Sequence, residues 1–165
     1  MSKLIFISVF DTLVSFPVDK NSTSTTGASE ELVTVNGKTY MKEKKRIIVV
    51  DDDVNILRVF KSILEKEGYI VETAETGKDA FKKIKKGRFD VWLVDVKLPD
   101  MDGTDLLLKN DDSKAIKIIV TGFSSEEVGK KAADYGADDF LVKPVKPEEL
   151  LATVRERLVI KQQES

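Results

Sequence analysis

The sequence predicts an α/β domain in which five parallel strands are covered by helices on both faces. From residue 46 onward, short apolar runs alternate with amphipathic stretches, a pattern typical of repeated strand-helix units around a parallel sheet. Three of the runs are nearly continuous apolar segments rich in Val and Ile, as expected for strands that are buried on both sides. We therefore expect a doubly wound (βα)5 domain over residues 46–162, with its first, third and fourth strands at the centre.

The strands are assigned to the apolar runs themselves. The first is "RIIVV", the third is "VWLVD" and the fourth is "KIIV". The complete set of predicted strands is Arg46–Val50, Ile70–Glu72, Val91–Asp95, Lys117–Val120 and Asp139–Val142.

Apolar residues recur at helical spacing between and after these strands. The stretches concerned are residues 56–64, 80–84, 128–135 and 150–158. Gly68, Gly87 and Gly136 follow the first three stretches and are expected to end those helices. The last helix is expected to begin at Pro147, which suits the first helical turn.

The helix between the third and fourth strands has the weakest pattern of the set. Its apolar face is confined to Leu106–Leu108, and the polar residues 109–113 follow at once. We therefore expect a short helix with a polar exit loop.

The composition excludes several classes of protein. Lys and Arg number 27 and Asp and Glu 29, so the chain as a whole has no basic field that would attract nucleic acid. The absence of cysteine excludes disulfides, thiolate zinc sites and cysteine nucleophiles. The absence of histidine excludes a Ser-His-Asp triad, a histidine metal cluster and a phosphohistidine on this chain. Any chemistry must therefore use carboxylates, hydroxyls and amines.

Residues 1–45 form an N-terminal extension with a different pattern. Its apolar start, Leu4–Phe10, is far shorter than the roughly 20 residues of a membrane helix, so we expect no membrane span and a cytoplasmic protein. Asn36-Gly37 is a strong turn dipeptide between Leu32–Val35 and Lys38–Tyr40, and it predicts a small β-hairpin. Because a hairpin is not stable alone, three alternatives remain open: packing on the main domain, packing on a second copy in a homodimer, or a disordered leader.

Acidic residues follow two of the central strands. Asp51, Asp52 and Asp53 come directly after the first strand, and Asp95 ends the third. The carboxyl ends of parallel strands lie at one edge of the sheet, where ligands bind, and neighbouring strands are about 4.8 Å apart. Carboxylates this close repel one another unless a cation lies between them, and a site of hard oxygen ligands suits Mg²⁺. The alternative is that Asp53 caps the first helix while the other acids are solvated.

The fourth and fifth strands supply a hydroxyl and an amine at the same edge. Thr121 follows "IIV" with Gly122 behind it, so its hydroxyl could donate to a bound anion. Lys143 follows "FLV" and could pair with Asp95 or with a phosphoryl group on it. Each residue alone has a simpler interpretation, as a Thr bonded to local backbone or a solvated Lys. Their joint occurrence with the acids, at four separate strand ends, favours a site.

The motifs "VVDDD", "LVDVKLPDMDG", "IIVTG" and "FLVKP" resemble, in this order and spacing, those of the response-regulator receiver domain, a CheY-like family of two-component signal transduction. The resemblance covers about Lys45 to Lys161. It implies a flavodoxin-like fold with a five-stranded parallel sheet of order 2-1-3-4-5, and Mg²⁺ as cofactor. Because the chain has no histidine, the implied phosphodonor is a phosphohistidine on a sensor histidine kinase or phosphotransfer protein, with small phosphodonors as an alternative.

The resemblance also implies a role for each acid. Asp95 would accept the phosphoryl group, and Asp52 would ligate Mg²⁺ directly, with Asp51 beside it in the acidic pocket. The backbone carbonyl of Lys97 would be a further ligand. Lys97 itself and Phe123 occupy positions that tune phosphoryl lifetime in the family, so the sequence leaves that lifetime open.

The remaining matched residues are implied to form a switch. Thr121 would bind a phosphoryl oxygen, Lys143 would pair with the phosphoryl group, and the Lys143-Pro144 bond would be cis. Phe140 would occupy the position of the family's rotating aromatic residue. The face made by the fourth helix, fifth strand and fifth helix of the domain would then contact the target.

We therefore expect a signalling phosphoacceptor that catalyses only its own phosphorylation and dephosphorylation. Since the chain ends at Ser165, we expect its effect to travel through contacts with an unidentified protein target, without direct binding of nucleic acid. One rival interpretation is a pseudo-receiver scaffold that works without phosphorylation. The other is a haloacid-dehalogenase-like phosphatase, echoed by "VFDTL" at residues 9–13, although Leu13 stands where that family has a second acid.

Overall fold

The structure, a computed structural model, describes residues 30–35, 38–109, 114–122 and 134–163. The chain divides into two units, Met1–Lys44 and Lys45–Ser165. None of the described helices has the length and apolarity required to cross a lipid bilayer.

The first unit contains an antiparallel pair of strands, β1 (Glu30–Val35) and β2 (Lys38–Glu43). The register runs from Glu30 opposite Glu43 to Val35 opposite Lys38. These are the strands of the predicted hairpin, each somewhat longer than the sequence indicated. The predicted turn, Asn36-Gly37, and the apolar start at residues 4–10 lie outside the described residues.

The second unit is built on a five-stranded sheet whose pairings are all parallel. Its strands are β3 (Arg46–Val50), β4 (Ile70–Ala74), β5 (Val91–Asp95), β6 (Ile116–Thr121) and β7 (Asp139–Val142). They lie in the order β4-β3-β5-β6-β7, which is 2-1-3-4-5 when counted within the unit. The predicted strand order and the predicted central strands are therefore confirmed.

Two strands of this five-stranded sheet are longer than the sequence indicated. In β4, Thr73 and Ala74 continue the parallel ladder opposite Val49 and Val50. In β6, Thr121 is included because it pairs with Val142 of the edge strand. Backbone pairing with a neighbour, rather than the residue's own propensity, extends these strand ends.

The described helices are α1 (Val54–Lys66), α2 (Gly77–Lys86), α3 (Gly103–Lys109) and α4 (Pro147–Gln163). The start of α1 is capped by Asp53, whose carboxylate accepts a hydrogen bond from the Asn55 amide at 2.8 Å. Beyond its end, Gly68 adopts the left-handed conformation, with φ at 89°, as a helix stop requires. As predicted, α3 is short and α4 begins at Pro147. The polar loop at residues 110–113 and most of the helix predicted at residues 128–135 lie outside the described residues.

Apolar side chains cover both faces of the sheet. One layer joins α1 and α4 to the sheet through fully or nearly buried residues: Leu57, Phe60, Leu64, Leu150, Val154 and Leu158. The other layer joins α2 and α3 through Ala80, Leu106 and Leu107. Within β3, Ile47 and Val49 belong to the first layer while Ile48 and Val50 belong to the second. Because the strands are fixed from both sides, the polar residues at their carboxyl ends are held on one edge of the sheet.

Candidate functional site

Three carboxylates meet at the carboxyl edge of the sheet. Asp51 follows β3, Asp95 ends β5, and one carboxylate oxygen from each of Asp51, Asp52 and Asp95 lies within 4.8 Å of the other two. Asp51 and Asp95 are buried, with 2% and 7% of their surface exposed, whereas Asp52 is exposed. The predicted acidic cluster therefore forms. Asp53 caps α1 as the alternative interpretation proposed, but Asp51 is not solvated as that interpretation required.

The Lys143 side chain joins the two buried acids. Its Nζ lies 2.6 Å from Oδ2 of Asp51 and 2.6 Å from Oδ2 of Asp95. Among the described residues, the cluster of three carboxylates has one ammonium in contact with two of its members, so negative charge is in excess. A second cation beside the carboxylates would reduce their mutual repulsion.

The pKa values of Asp51 and Lys143 reflect this crowding. Burial raises the pKa of the Asp51 carboxyl above its ordinary value, against the opposing effect of hydrogen bonds from Lys143 and from the Asp53 amide. Burial alone would lower the pKa of Lys143, but its hydrogen bonds to Asp51 and Asp95, together with their charges, outweigh that effect, so the pKa of Lys143 is raised. Lys143 is consequently a permanent positive charge at neutral pH.

Backbone amides fix the orientation of both buried carboxylates. Oδ1 of Asp51 accepts a hydrogen bond from the Asp53 amide at 2.9 Å, and Oδ1 of Asp95 accepts one from the Lys97 amide at 3.1 Å. In each case the other oxygen, Oδ2, lies 2.6 Å from the Lys143 ammonium. Each carboxylate is thus held on one side by the backbone amide two residues further along the chain and on the other side by Lys143, which is distant in sequence.

The predicted switch residues occupy β6 and β7. Thr121 is fully buried, and its carbonyl accepts a hydrogen bond from the Lys143 amide at 2.7 Å, which places the two residues side by side. Gly122 is exposed, and a β-carbon there would meet no atom within 4 Å. Phe140 is half-buried and packs against the layer of α2 and α3. The Lys143-Pro144 bond is cis, as the family resemblance implied.

The segment after Asp95 forms a tight loop. Lys97 pairs with Asp102 in an antiparallel bridge, and the Gly103 amide donates to the Val96 carbonyl at 2.7 Å. Lys97, whose carbonyl was implied as a ligand, is an exposed residue of this loop and follows Asp95 by two positions. Phe123, the other position implied to tune phosphoryl lifetime, lies outside the described residues.

No role was predicted for Asp100, a residue of this loop that the structure places against the start of α2. Its carboxylate accepts hydrogen bonds from the amides of Gly77 at 2.8 Å and Lys78 at 2.9 Å. These residues lie more than 20 positions earlier in the chain and meet Asp100 only because β3, β4 and β5 are neighbours in the sheet. No local spacing rule predicts such a contact.

The donor set is compatible with Mg²⁺. All three clustered side chains offer carboxylate oxygens, and the chain has neither histidine nor cysteine to favour a softer metal. A partly exposed group of this kind leaves room for the waters and phosphate oxygens that complete magnesium coordination.

Comparisons with known proteins identify relatives of this chain. The family model of the response regulator receiver domain matches residues 47–155. The transcriptional regulatory protein ResD of Bacillus subtilis is 33% identical over 111 residues, which are 67% of this chain and 46% of ResD. The response regulator ArlR of Staphylococcus saprophyticus is 35% identical over 114 residues, which are 68% of this chain and 52% of ArlR. The chain thus spans about half the length of these curated relatives.

One solved structure is similar to this chain in both fold and sequence. The crystal structure of a CheY-like response regulator receiver domain protein from Methanospirillum hungatei matches with a TM-score of 0.70 and 43% sequence identity. The match covers 74% of this chain and 100% of that one.

Proposed function

The chain belongs to the response regulator receiver domain family of two-component signalling, and from this premise we propose that it is a phosphoacceptor in which Asp95 takes a phosphoryl group and thereby switches a protein-interaction surface. The observation that supports the proposal best is the position of the Lys143 ammonium, 2.6 Å from an Asp95 oxygen, in a cluster that also contains Asp51 and Asp52. We propose residues 46–162 as the receiver domain and residues 1–45 as an extension to it.

The proposed reaction is a single phosphoryl transfer. An Asp95 carboxylate oxygen attacks the phosphorus of a phosphohistidine on a sensor histidine kinase or phosphotransfer protein. The new O–P bond forms as the N–P bond breaks, and the leaving imidazole takes up a proton. Because such transfers depend mainly on positioning and charge neutralisation, the chief contribution of Lys143 is its positive charge beside the reacting oxygens.

Asp51, Asp52, Asp95 and the carbonyl of Lys97 would hold Mg²⁺, which when bound supplies positive charge to the incoming phosphoryl oxygens. The amide of Asp53 holds the Asp51 carboxylate in the orientation it has in the cluster. The amide of Lys97 does the same for Asp95. The exposure of Asp52 leaves one side of the cluster open to a phosphodonor.

The switch that we propose begins at Thr121. Once Asp95 carries a phosphoryl group, the Thr121 hydroxyl and the Gly122 amide can donate hydrogen bonds to its oxygens, which would draw this segment inward. Phe140, which is half-buried on the neighbouring strand, would follow and alter the surface presented to a protein target. Since histidine kinases are phosphorylated by ATP, we propose that the phosphoryl transfer to Asp95 takes place in the cytoplasm.

Intact-mass spectrometry with acetyl phosphate and Mg²⁺ tests the proposal. The wild-type chain should gain the mass of one phosphoryl group, and Asp95→Asn should gain none. Asp53→Asn is the matched control, because Asp53 is an exposed helix cap and Asn caps helices equally well; it should be modified like the wild type. A folded wild-type protein that is never modified would favour the pseudo-receiver scaffold instead.

A further inference from the structure

The amino end of α2 is capped from two different parts of the chain. The amide of Asp79 donates to the Thr76 hydroxyl at 3.1 Å, which is a cap within the helix's own segment. The amides of Gly77 and Lys78 donate instead to Asp100, at 2.8 and 2.9 Å. An α-helix leaves its first amides without partners inside the helix, so Asp100 satisfies groups that the local sequence leaves open.

Asp100 lies near the tip of the loop that follows Asp95. The base of the loop is closed by the hydrogen bond from the Gly103 amide to the Val96 carbonyl, which is one of the two backbone hydrogen bonds that form the bridge between Lys97 and Asp102. Nearer the tip, the Leu98 amide donates to the Met101 carbonyl at the longer distance of 3.3 Å. The tip is therefore weakly closed by its own backbone and is attached to α2 through Asp100.

A second contact supports the attachment. Gly77 allows Met101 to pack against the first turn of α2, since a β-carbon on Gly77 would lie 2.4 Å from the Met101 sulfur. The negative Asp100 carboxylate also lies where the α2 dipole is positive. The hydrogen bonds from the backbone amides of Lys78 and Gly77 lower the pKa of Asp100 below its ordinary value. This direction is expected because these bonds stabilise the charged form of the carboxylate.

We infer that Asp100 is a positioning residue for the reaction at Asp95. Its attachment to α2 holds the segment around Lys97 in the conformation in which the Lys97 carbonyl can bind Mg²⁺. Lys97 lies between Asp95, whose Oδ1 accepts the Lys97 amide, and the attached tip. If the tip were released, the Lys97 carbonyl would have to be ordered during binding, at an entropic cost to affinity. This inference rests on the proposed function, because it takes the Lys97 carbonyl as a ligand of Mg²⁺.

The test compares Asp100→Ala, Asp100→Asn and Thr76→Ala in the full-length chain. Thr76→Ala is the matched control, because it removes a cap from the same helix end but leaves the Asp100 bonds in place. Two readouts are used: amide hydrogen exchange at Leu98 and Gly103 without metal, and Mg²⁺ affinity by calorimetry with magnesium chloride. Asp100→Ala should accelerate exchange at both amides and weaken Mg²⁺ binding about tenfold, the lower end of what residues supporting a metal ligand contribute. Asp100→Asn, which retains one acceptor oxygen, should lie between Asp100→Ala and the wild type.

Thr76→Ala should leave both readouts at their wild-type values even where it lowers stability. If Asp100→Ala and Asp100→Asn bind Mg²⁺ as tightly as the wild type, the inference is wrong while the proposed function stands. The inference is also wrong if Thr76→Ala weakens Mg²⁺ binding as much as Asp100→Ala, because loss of helix stability would then explain both. If the folded wild-type chain itself binds no Mg²⁺, the proposed metal site fails and the inference fails with it.

Discussion

Gly103 lies directly against the backbone of Asp95, so closely that a β-carbon on Gly103 would be 1.8 Å from the Asp95 carbonyl oxygen and 2.9 Å from its carbonyl carbon. The Gly103 amide also donates to the Val96 carbonyl at 2.7 Å. The first turn of α3 is thus packed on the peptide group of the proposed phosphoacceptor. No side chain larger than hydrogen fits without moving backbone at one of these two positions.

Gly103→Ala should consequently affect both stability and chemistry. The added methyl meets backbone that cannot rotate away, so we expect the free energy of unfolding to fall by about 2 kcal/mol or more, as for overpacked interiors. Displacement of Asp95 should also slow its modification by acetyl phosphate. Urea denaturation and intact-mass time courses measure the two effects.

Gly122→Ala is the stability control for that substitution, because a β-carbon on Gly122 would meet nothing within 4 Å. Its free energy of unfolding should stay within about 0.5 kcal/mol of the wild type. Equal losses for the two glycine variants would show that the close approach at Gly103 is not the cause.

Asp51→Asn is expected to stabilise the metal-free protein at neutral pH. Burial raises the pKa of Asp51 above its ordinary value of 3.8, so the folded state holds this proton more tightly than the unfolded state does. The carboxyl therefore favours folding most below pH 3.8, and this contribution is lost as the pH rises through the folded-state pKa. For one titrating group, the free energy of unfolding changes by at most about 1.4 kcal/mol per pH unit. Since asparagine does not titrate, the free energy of unfolding of Asp51→Asn does not fall in this way as the pH rises.

Urea denaturation of Asp51→Asn and wild type at several pH values, with a chelator present, checks this prediction. The advantage of the variant should be largest near pH 7 and should shrink as the pH falls toward about 4, close to the ordinary pKa of an aspartate. Asp53→Asn, which changes an exposed helix cap to an equally good one, is the control and should gain no stability over the wild type near pH 7. Stability curves for Asp51→Asn and wild type that run parallel over this range would contradict the assigned effect of burial.

The strand ends were predictable because they depend on short-range signals. Apolar runs such as "IIVV" and "VWLV" define where each strand stops, and parallel pairing then brings Asp51 and Asp95 to one edge whatever the details of packing. The helix stop at Gly68 and the cap at Asp53 are equally local. The assignment of a role to each residue drew on the family resemblance, because apolar patterns do not specify chemistry.

The contacts that were not predicted join parts of the chain that meet only after folding. Asp100 caps α2 across more than 20 residues, and Gly103 approaches the Asp95 carbonyl through the turn of the intervening loop. Lys117 is another case: it is charged and lies within a central strand, yet it is buried with its Nζ 5.5 Å from the centroid of the Trp92 ring. Residue type alone would place such a lysine in solvent.

Removal of the extension should leave the receiver unit intact. The sheet, its helices and the clustered acids all belong to the unit Lys45–Ser165, so a chain lacking residues 1–40 should unfold at nearly the wild-type temperature and still accept a phosphoryl group. Differential scanning calorimetry and intact-mass analysis measure these properties. If the extension pairs two copies, sedimentation should show a dimer for the full chain and a monomer after deletion. Loss of phosphorylation in a folded, shortened chain would contradict the proposed division of the chain.

Lys143→Met should make the metal-free protein less stable at pH 7, because two buried carboxylates then face each other without the ammonium that joins them. We expect a loss of about 2 kcal/mol, less than for a fully buried pair because part of the Lys143 side chain is exposed. The raised pKa of Lys143 means that its contribution is fully present below its ordinary value of 10.5, so the loss should be complete at neutral pH. The loss should diminish as the pH falls, since protonation of one carboxylate removes the repulsion. Lys146→Met, which changes an exposed lysine of the next loop, is the control and should stay within about 0.5 kcal/mol of the wild type. A Lys143→Met variant as stable as wild type at every pH from about 4 to 7, the range over which carboxylates ionise, would show that the Lys143 ammonium does not hold the two acids together.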